Sequence, residues 1–266
     1  MSAVDGRDPD LRLLREGEIE VRGRLVEASN ATLFCSVRLD GVEAECVYKP
    51  VDGERPLWDF PDGTLAGREV AAARVAEALG WEMTPPTVLR EGPFGVGMVQ
   101  RWVDVEEDSG LVDLFEPADL PAGWLPILKA QGERGEPVVL AHADHALLRR
   151  LAVLDIVINN ADRKAGHILH TADGRVLGID HGVSLNSEDK LRTVLWGFHG
   201  QPLPEEAVDG LGELRALLEG PLAQELTEHI TPDEVGSLRD RVDRLLGEGV
   251  FPGPSGAWPA IPWPPF

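Results

Sequence analysis

Apolar residues at 147, 148, 151, 154 and 158, with Arg149, Arg150 and Asp155 between them, mark LLRRLAVLDIVINN as an amphipathic helix that stops near Asn159. After the turn ADRKAG the period changes. HILH and RVLGID are short β-prone runs joined by Ala172-Asp173-Gly174, a hairpin signal of the Asp-Gly type, so Asp180 ends a strand just before His181 and Gly182. Upstream, Ile19 to Val26 and Thr32 to Leu39 read as strands around the turn Glu27 to Ala31, and Ala44 to Pro50 is a third run ending at Lys49. A loop rich in Gly and Pro, VDGERPLWDFPDG, leads into Leu65 to Trp81, an Ala-rich helix closed by Gly80, with 65, 72, 75, 76 and 79 near one face and Glu69 at its edge. Thr87 to Arg90 and Gly97 to Val103 would finish the small sheet. Short helices are expected from Leu111 to Leu128, a loop from Lys129 to Pro137, and two amphipathic helices in LGELRALLEGPLAQELTEHI and PDEVGSLRDRVDRLLGEGV.

Two acids then stand out, because each sits in a polar turn flanked by apolar runs: Asp162 and Asp180, 18 residues apart with the hairpin between them. Isolated turn acids usually do no more than cap a turn. The pair suits phosphoryl transfer from a nucleotide, where one carboxylate orients the attacking hydroxyl and another holds a divalent metal on the phosphates.

A helix, a loop holding Asn160-Ala161-Asp162-Arg163, a hairpin and a strand ending in Ile179-Asp180-His181-Gly182 resembles the catalytic core of the protein-kinase-like superfamily. The resemblance is nearer to phosphatidylinositol 3- and 4-kinases, especially the type II 4-kinase branch and its bacterial, actinobacterial relatives. It implies an α+β fold of two lobes, a small antiparallel-sheet lobe with one helix and a larger, mainly helical lobe. It also implies ATP and Mg²⁺, with Mn²⁺ as the other ion to consider. Asp162 becomes the acceptor-orienting base with Arg163 beside it in the catalytic loop, and Asp180 the principal metal ligand. The family usually has a metal-binding Asn five residues after the catalytic Asp; here it is His167, which implies a second ligand that favours Mn²⁺ or Zn²⁺ over Mg²⁺. Lys49 would meet the nucleotide phosphates and Glu69 would hold Lys49, with Glu77 the competing choice. Ser29 and Asn30 would cover the phosphates, and the stretch containing Gln100 and Trp102 would form the hinge against adenine.

Composition narrows the picture. The chain has only four lysines against 21 arginines, which singles out Lys49, because an ammonium acts on phosphate as a compact point charge that arginine does not replace. With 266 residues, 43% of them hydrophobic, it can bury a sizeable core in one or two lobes. We expect an N-terminal nucleotide-binding lobe over 1–104, a catalytic helical lobe over 105–250 and a Pro/Trp-rich tail over 251–266 that packs its tryptophans on the large lobe. A formal charge of −21 disfavours nucleic acid and anionic membranes as partners and weighs against a phosphoinositide, leaving a protein side chain or a soluble small molecule as acceptor. Val183 to Pro204 is placed to contact that acceptor through Arg192, Trp196 and His199. Cys35 and Cys46 fall on neighbouring strands and read as buried thiols. With no signal peptide and no apolar run near 18 residues, a cytoplasmic monomer is the expectation.

Three other readings stay open. A metal-dependent phosphohydrolase would use His142-Ala143-Asp144-His145 with Asp162, His167 and His170, against the simpler view that Asp144 caps the helix beginning at His145. His167 and the absence of a glycine signature in the phosphate-covering turn motivate a nucleotide-binding pseudokinase. AMP transfer needs the same residue types as phosphoryl transfer.

Overall fold

The computed structural model describes residues 9–25, 30–105, 110–132 and 134–266; Ser29, expected in the phosphate-covering turn, lies outside them. The chain folds as an α+β protein of two lobes, as expected. In the smaller lobe, β1 (Glu18–Arg24), β2 (Leu33–Leu39), β3 (Val42–Pro50), β4 (Thr87–Gly92) and β5 (Gly95–Arg101) form an antiparallel sheet in the order β1-β2-β3-β5-β4. The register pairs Cys35 with Cys46, and both remain free, buried thiols. This lobe holds two helices where one was expected. The additional α1 (Pro9–Glu16) buries Leu11, Leu13 and Leu14 against Val37, Tyr48, Val88 and Val99.

The second helix, α2 (Leu65–Ala78), departs from a one-faced amphipathic pattern. It is buried from Ala66 to Ala73 and again at Val75 and Ala76, because it lies between the sheet and the large lobe. Alanine suits such a place: it is the strongest helix former and lets neighbouring backbones approach closely. Its N-terminus is tied down twice. Thr64 accepts from Gly67 N at 2.9 Å, and the Glu54 carboxylate accepts from Leu65 N and Ala66 N at 2.9 and 2.8 Å.

The large lobe is built on α3 (Ala146–Ile158), α4 (Glu205–Leu217), α5 (Pro221–Leu226) and α6 (Pro232–Glu248). Leu148, Leu151, Leu154, Val157 and Ile158 of α3 pack with Leu211, Leu214, Leu238, Val242 and Leu245 into one core. Helix α3 stops where its sequence predicts, with Asn159 in the left-handed conformation at φ 52°. Its start differs from expectation: His145, not Asp144, is the cap, accepting from Leu147 N through Nδ1, while Asp144 pairs with Arg149 at 2.7 Å.

Residues 111–143 correct the expectation of short helices and a loop. They form a three-stranded sheet, β6 (Val112–Phe115), β7 (Trp124–Gln131) and β8 (Pro137–Ala143), in the order β6-β8-β7. The central β8 is a run of Val and Leu buried at Val139, Leu140 and Ala141, and Phe115 meets Trp124 edge-on across the sheet at 4.7 Å. The bulge between Pro126 and Leu128 lets β7 carry a proline at the sheet edge. The hairpin β9 (Ile168–His170) and β10 (Val176–Gly178) turns at Ala172–Gly174 as expected, with Gly174 at φ 80°.

The C-terminal segment lies on the large lobe chiefly through its own carbonyls. Ala260 O accepts from Thr193 N and from the Trp196 indole, and Pro265 O accepts from Ala165 N. Of its tryptophans, Trp258 packs 3.8 Å from Lys190 and Trp263 is exposed. No helix among the described residues is long and apolar enough to cross a membrane.

Candidate active site

Strand β3 carries Lys49 to the rim of the small sheet, and the first turns of α2 bring Glu69 behind it. Glu69 Oε2 is 3.8 Å from Lys49 Nζ, whereas Glu77 pairs with Arg74 on the surface. From the other lobe, Asp180 comes up at the end of β10 and its Oδ1 contacts the same ammonium. The backbone of Asp180 takes φ 62°, a left-handed turn that Asp tolerates better than most residues, which aims its carboxylate back across the cleft. Lys49 therefore meets one acid from each lobe. Burial works against its charge, but Glu69 and Asp180 outweigh it and hold the ammonium above the usual lysine range. Burial also opposes ionisation of Asp180 and Glu69, and Lys49 nonetheless keeps both carboxyls below the ordinary range.

Asp162 lies in the loop after α3. Asn160 Oδ1 accepts from the Asp162 amide at 3.0 Å, and Lys164 Nζ stands 3.7 Å from its carboxylate. Burial pushes the Asp162 carboxyl up, against the pull of Lys164 and Arg192. His167 follows on a single 3-10 turn. Its Nδ1 is 2.9 Å from Asp162 O, a carbonyl that can only accept, so Nδ1 carries the ring proton. Its Nε2 then faces Asp180 Oδ2 at 3.3 Å with a lone pair. Burial, against the opposing pull of Asp180, lowers the His167 pKa to about 4. A neutral imidazole nitrogen and a carboxylate oxygen thus face each other as two acceptors with no proton between them.

Arg163 points the other way. It is 0% exposed. Its guanidinium donates to Asp155 through Nε and Nη2 at 2.9 to 3.1 Å, to Ile179 O and His167 O through Nη1 at 2.9 and 3.0 Å, and to His181 Nε2 through Nη2 at 2.6 Å. All five donors are used inside the protein, which leaves none for a substrate. Asp155 also accepts from Asn160 Nδ2 and Thr193 Oγ1, so one fully buried carboxylate organises the loop.

The remaining expected residues each have partners of their own. Gln100 is buried in β5 with its amide on Thr87 Oγ1 at 2.9 Å. Trp102 stacks edge-on against Phe34 at 5.0 Å and bonds Asp104 at 3.2 Å. Asn30 accepts from Arg55 N, tying its turn to the loop before α2. Arg192, Trp196 and His199 all meet the C-terminal segment: Arg192 donates to Ile261 O at 3.4 Å, Trp196 to Ala260 O, and His199 Nε2 lies where a Cβ on Gly253 would be 2.7 Å away. The H-x-D-H string supplies no metal site. His142 is buried between Gly197 N and Ala143 O, and among the described residues no group of three or more His, Cys, Asp or Glu is arranged to hold an ion.

Sequence reasoning missed Lys164, Asp155 and His181. Lys164 had a signal in the scarcity of lysine, two positions beyond Asp162. Asp155 had none, since a charge at that helical position reads as solvent-facing.

Fold and site together define a two-lobed α+β protein with a lysine and two carboxylates gathered where the lobes meet. The chain is 51% identical over an alignment of 274 residues, 99% of its own length and 98% of the relative's, to Protein Rv2133c of Mycobacterium tuberculosis, and it belongs to the same family as that protein. Among solved structures, that of the Helicobacter pylori proinflammatory kinase CtkA superposes at a TM-score of 0.47 and 10% identity, over 90% of this chain and 94% of that one. No protein-family model matches the chain.

Proposed function

We propose that the protein is an ATP-dependent phosphotransferase acting on a hydroxyl of a protein or soluble small molecule. The observation that carries this reading is the meeting of Lys49 and Glu69 from the small lobe with Asp180 from the large one. A lysine locked between an acid of its own lobe and an acid of the opposite lobe is what a triphosphate needs: a fixed cation for the phosphates and a carboxylate positioned for a metal. Asp162, raised by burial and flanked by Lys164, is the acceptor-orienting base. Arg163 supports it from behind rather than touching substrate, because all its donors are engaged.

The residues present fit a divalent ion. His167 Nε2 and Asp180 Oδ2, two acceptors 3.3 Å apart, are relieved of their mutual repulsion by a cation shared between them. Mg²⁺ is commonly held by one or two protein groups, with waters and substrate phosphates completing its shell, while an imidazole ligand favours Mn²⁺. Such an ion, when bound, neutralises charge on the phosphate oxygens. In this reading the lobes divide near residue 104 and the nucleotide lies between them. The overall charge of −21 favours a soluble acceptor over nucleic acid or an anionic membrane.

Incubation with ATP labelled at the γ- or the α-phosphate, in Mg²⁺ and Mn²⁺ in parallel, tests the proposal, with Asp180→Asn as control. Transfer of γ-label that disappears in the control is the expected result. Transfer of α-label would make the protein an AMP transferase, binding without transfer a pseudokinase, and the absence of nucleotide binding under every condition would overturn the reading.

A further inference from the structure

The phosphotransfer reading makes no use of His181, yet this ring is 1% exposed and lies directly behind the lysine-carboxylate cluster. Arg163 Nη2 stands 2.6 Å from His181 Nε2. A guanidinium only donates, so Nε2 is the acceptor and the ring proton sits on Nδ1. Nδ1 faces Glu69 Oε1 at 3.5 Å. That oxygen is buried and makes no hydrogen bond in the structure, so the 3.5 Å approach of Nδ1 is a polar contact rather than a formed bond, while Lys49 approaches the other oxygen of the same carboxylate. Contacts therefore run from Asp155 on α3 through Arg163, His181 and Glu69 to Lys49 on β3, joining the catalytic loop to the small lobe.

The backbone is shaped to allow this. A Cβ on Gly178 would lie 2.9 Å from Arg163 Nη2 and 3.0 Å from His181 Nε2, so only glycine leaves room for the two groups to meet there. Phenylalanine would fill a similar volume at 181 but would offer Arg163 no acceptor and Glu69 no donor. An imidazole supplies one of each on opposite sides of the ring.

We propose that His181 is a positioning residue that holds Glu69, and through it Lys49, in register with the Arg163–Asp155 pair of the catalytic loop. Its consequence for catalysis rests on the phosphotransferase reading; the positional claim does not.

The test measures the rate at which trinitrobenzenesulfonate modifies Lys49, followed by mass spectrometry at residue 49 in the absence of nucleotide. Once Glu69 is no longer held, Lys49 keeps only one of its two fixed partners. His181→Phe should then speed modification severalfold at pH 8, because a side chain held on one side only moves more freely to the reagent. His181→Gln, whose amide has both a donor and an acceptor, should stay near the unaltered rate. Equal rates in the unaltered chain and in folded His181→Phe would reduce His181 to packing and overturn the proposal. Should His181→Phe fail to fold, the ring nitrogen shifts of histidine-labelled unaltered protein decide: a proton on Nε2 of His181 overturns the proposal, and one on Nδ1 supports it. If the chain also transfers phosphate, kcat/KM should fall in His181→Phe and recover in His181→Gln. If it transfers none, the Lys49 result still stands by itself.

Discussion

Arg68, the residue before Glu69, donates to Glu234 on α6 at 2.7 Å, and both side chains are almost wholly buried. The same guanidinium reaches Ser184 O at 3.0 Å and Asp62 O at 2.9 Å and lies over the Phe60 ring. The helix that carries Glu69 is thereby fastened to the opposite lobe one residue away from the site. Breaking a buried pair leaves an uncompensated charge, so Arg68→Met should lower stability by about 3 to 5 kcal/mol. Urea unfolding checks this, and Arg68→Met combined with Glu234→Met should recover part of the loss because no buried charge is then left alone.

Lys49→Met should reverse the way Glu69 responds to pH. In the unaltered chain burial disfavours the Glu69 carboxylate but Lys49 outweighs it and keeps the carboxyl below its ordinary range. A carboxyl depressed on folding contributes stability above its unfolded value, near 4.5, and that contribution is lost as pH falls through the folded value. Without Lys49, burial, the largest influence, acts with the neighbouring Asp180 to raise the carboxyl against the smaller pull of His181, so stability should fall as pH rises above about 4.5. Melting temperatures at pH 5 and pH 8 decide it: the deficit of Lys49→Met relative to the unaltered chain should be larger at pH 8.

How far the sequence discloses such arrangements depends on whether the information is local. The end of α3 at Asn159 and the hairpin turn at Asp173-Gly174 are set by the conformational preferences of the residues themselves, and both were legible. The sheet of β6 to β8 was not, because Pro121, Pro126 and Gly132 interrupt its periodicity and its strands are defined by partners up to about thirty residues away, as Val112 with His142. Asp180 could be nominated by its turn between apolar runs, and Lys49 and Glu69 by residue type together with the positions that the resemblance to the protein-kinase-like superfamily implies. The inward turn of Gln100 onto Thr87 and the burial of Arg163 against Asp155 are tertiary facts with no local signature. Residues 26–29 of the turn between β1 and β2, Ser29 among them, fall outside the described residues.

His167→Asn tests the metal preference. A neutral imidazole beside Asp180 suits Mn²⁺, whereas an amide oxygen is a hard donor that suits Mg²⁺. Under the phosphotransferase reading, the ratio of Mg²⁺-supported to Mn²⁺-supported turnover should rise in His167→Asn. Parallel assays across a range of each ion measure it. An unchanged ratio would remove His167 from the ion's surroundings.

His142, on the central strand of the second sheet, gives a pH effect away from the candidate site. Its Nε2 accepts from Gly197 N at 3.1 Å and its Nδ1 donates to Ala143 O at 2.9 Å, so the fold binds the neutral ring with its proton on Nδ1. The fit is close: a Cβ on Gly197 would stand 2.5 Å from Nε2. Burial holds His142 below the ordinary histidine range, against the weaker pull of Ala143 O and Asp144. A base whose pKa is lower in the folded than in the unfolded chain takes up its proton first in the unfolded chain. Stability is therefore full above about pH 6.5, and the contribution is lost as pH falls below that value toward the folded one. Protonation of Nε2 would also set two donors against each other at Gly197. Between pH 8 and pH 5 the unaltered chain should lose stability more steeply than His142→Gln, with the slopes differing by at most about 1.4 kcal/mol per pH unit, the limit for one proton. Urea unfolding at half-unit steps of pH measures both slopes, and parallel lines would show that His142 carries its proton equally in the folded and unfolded chains.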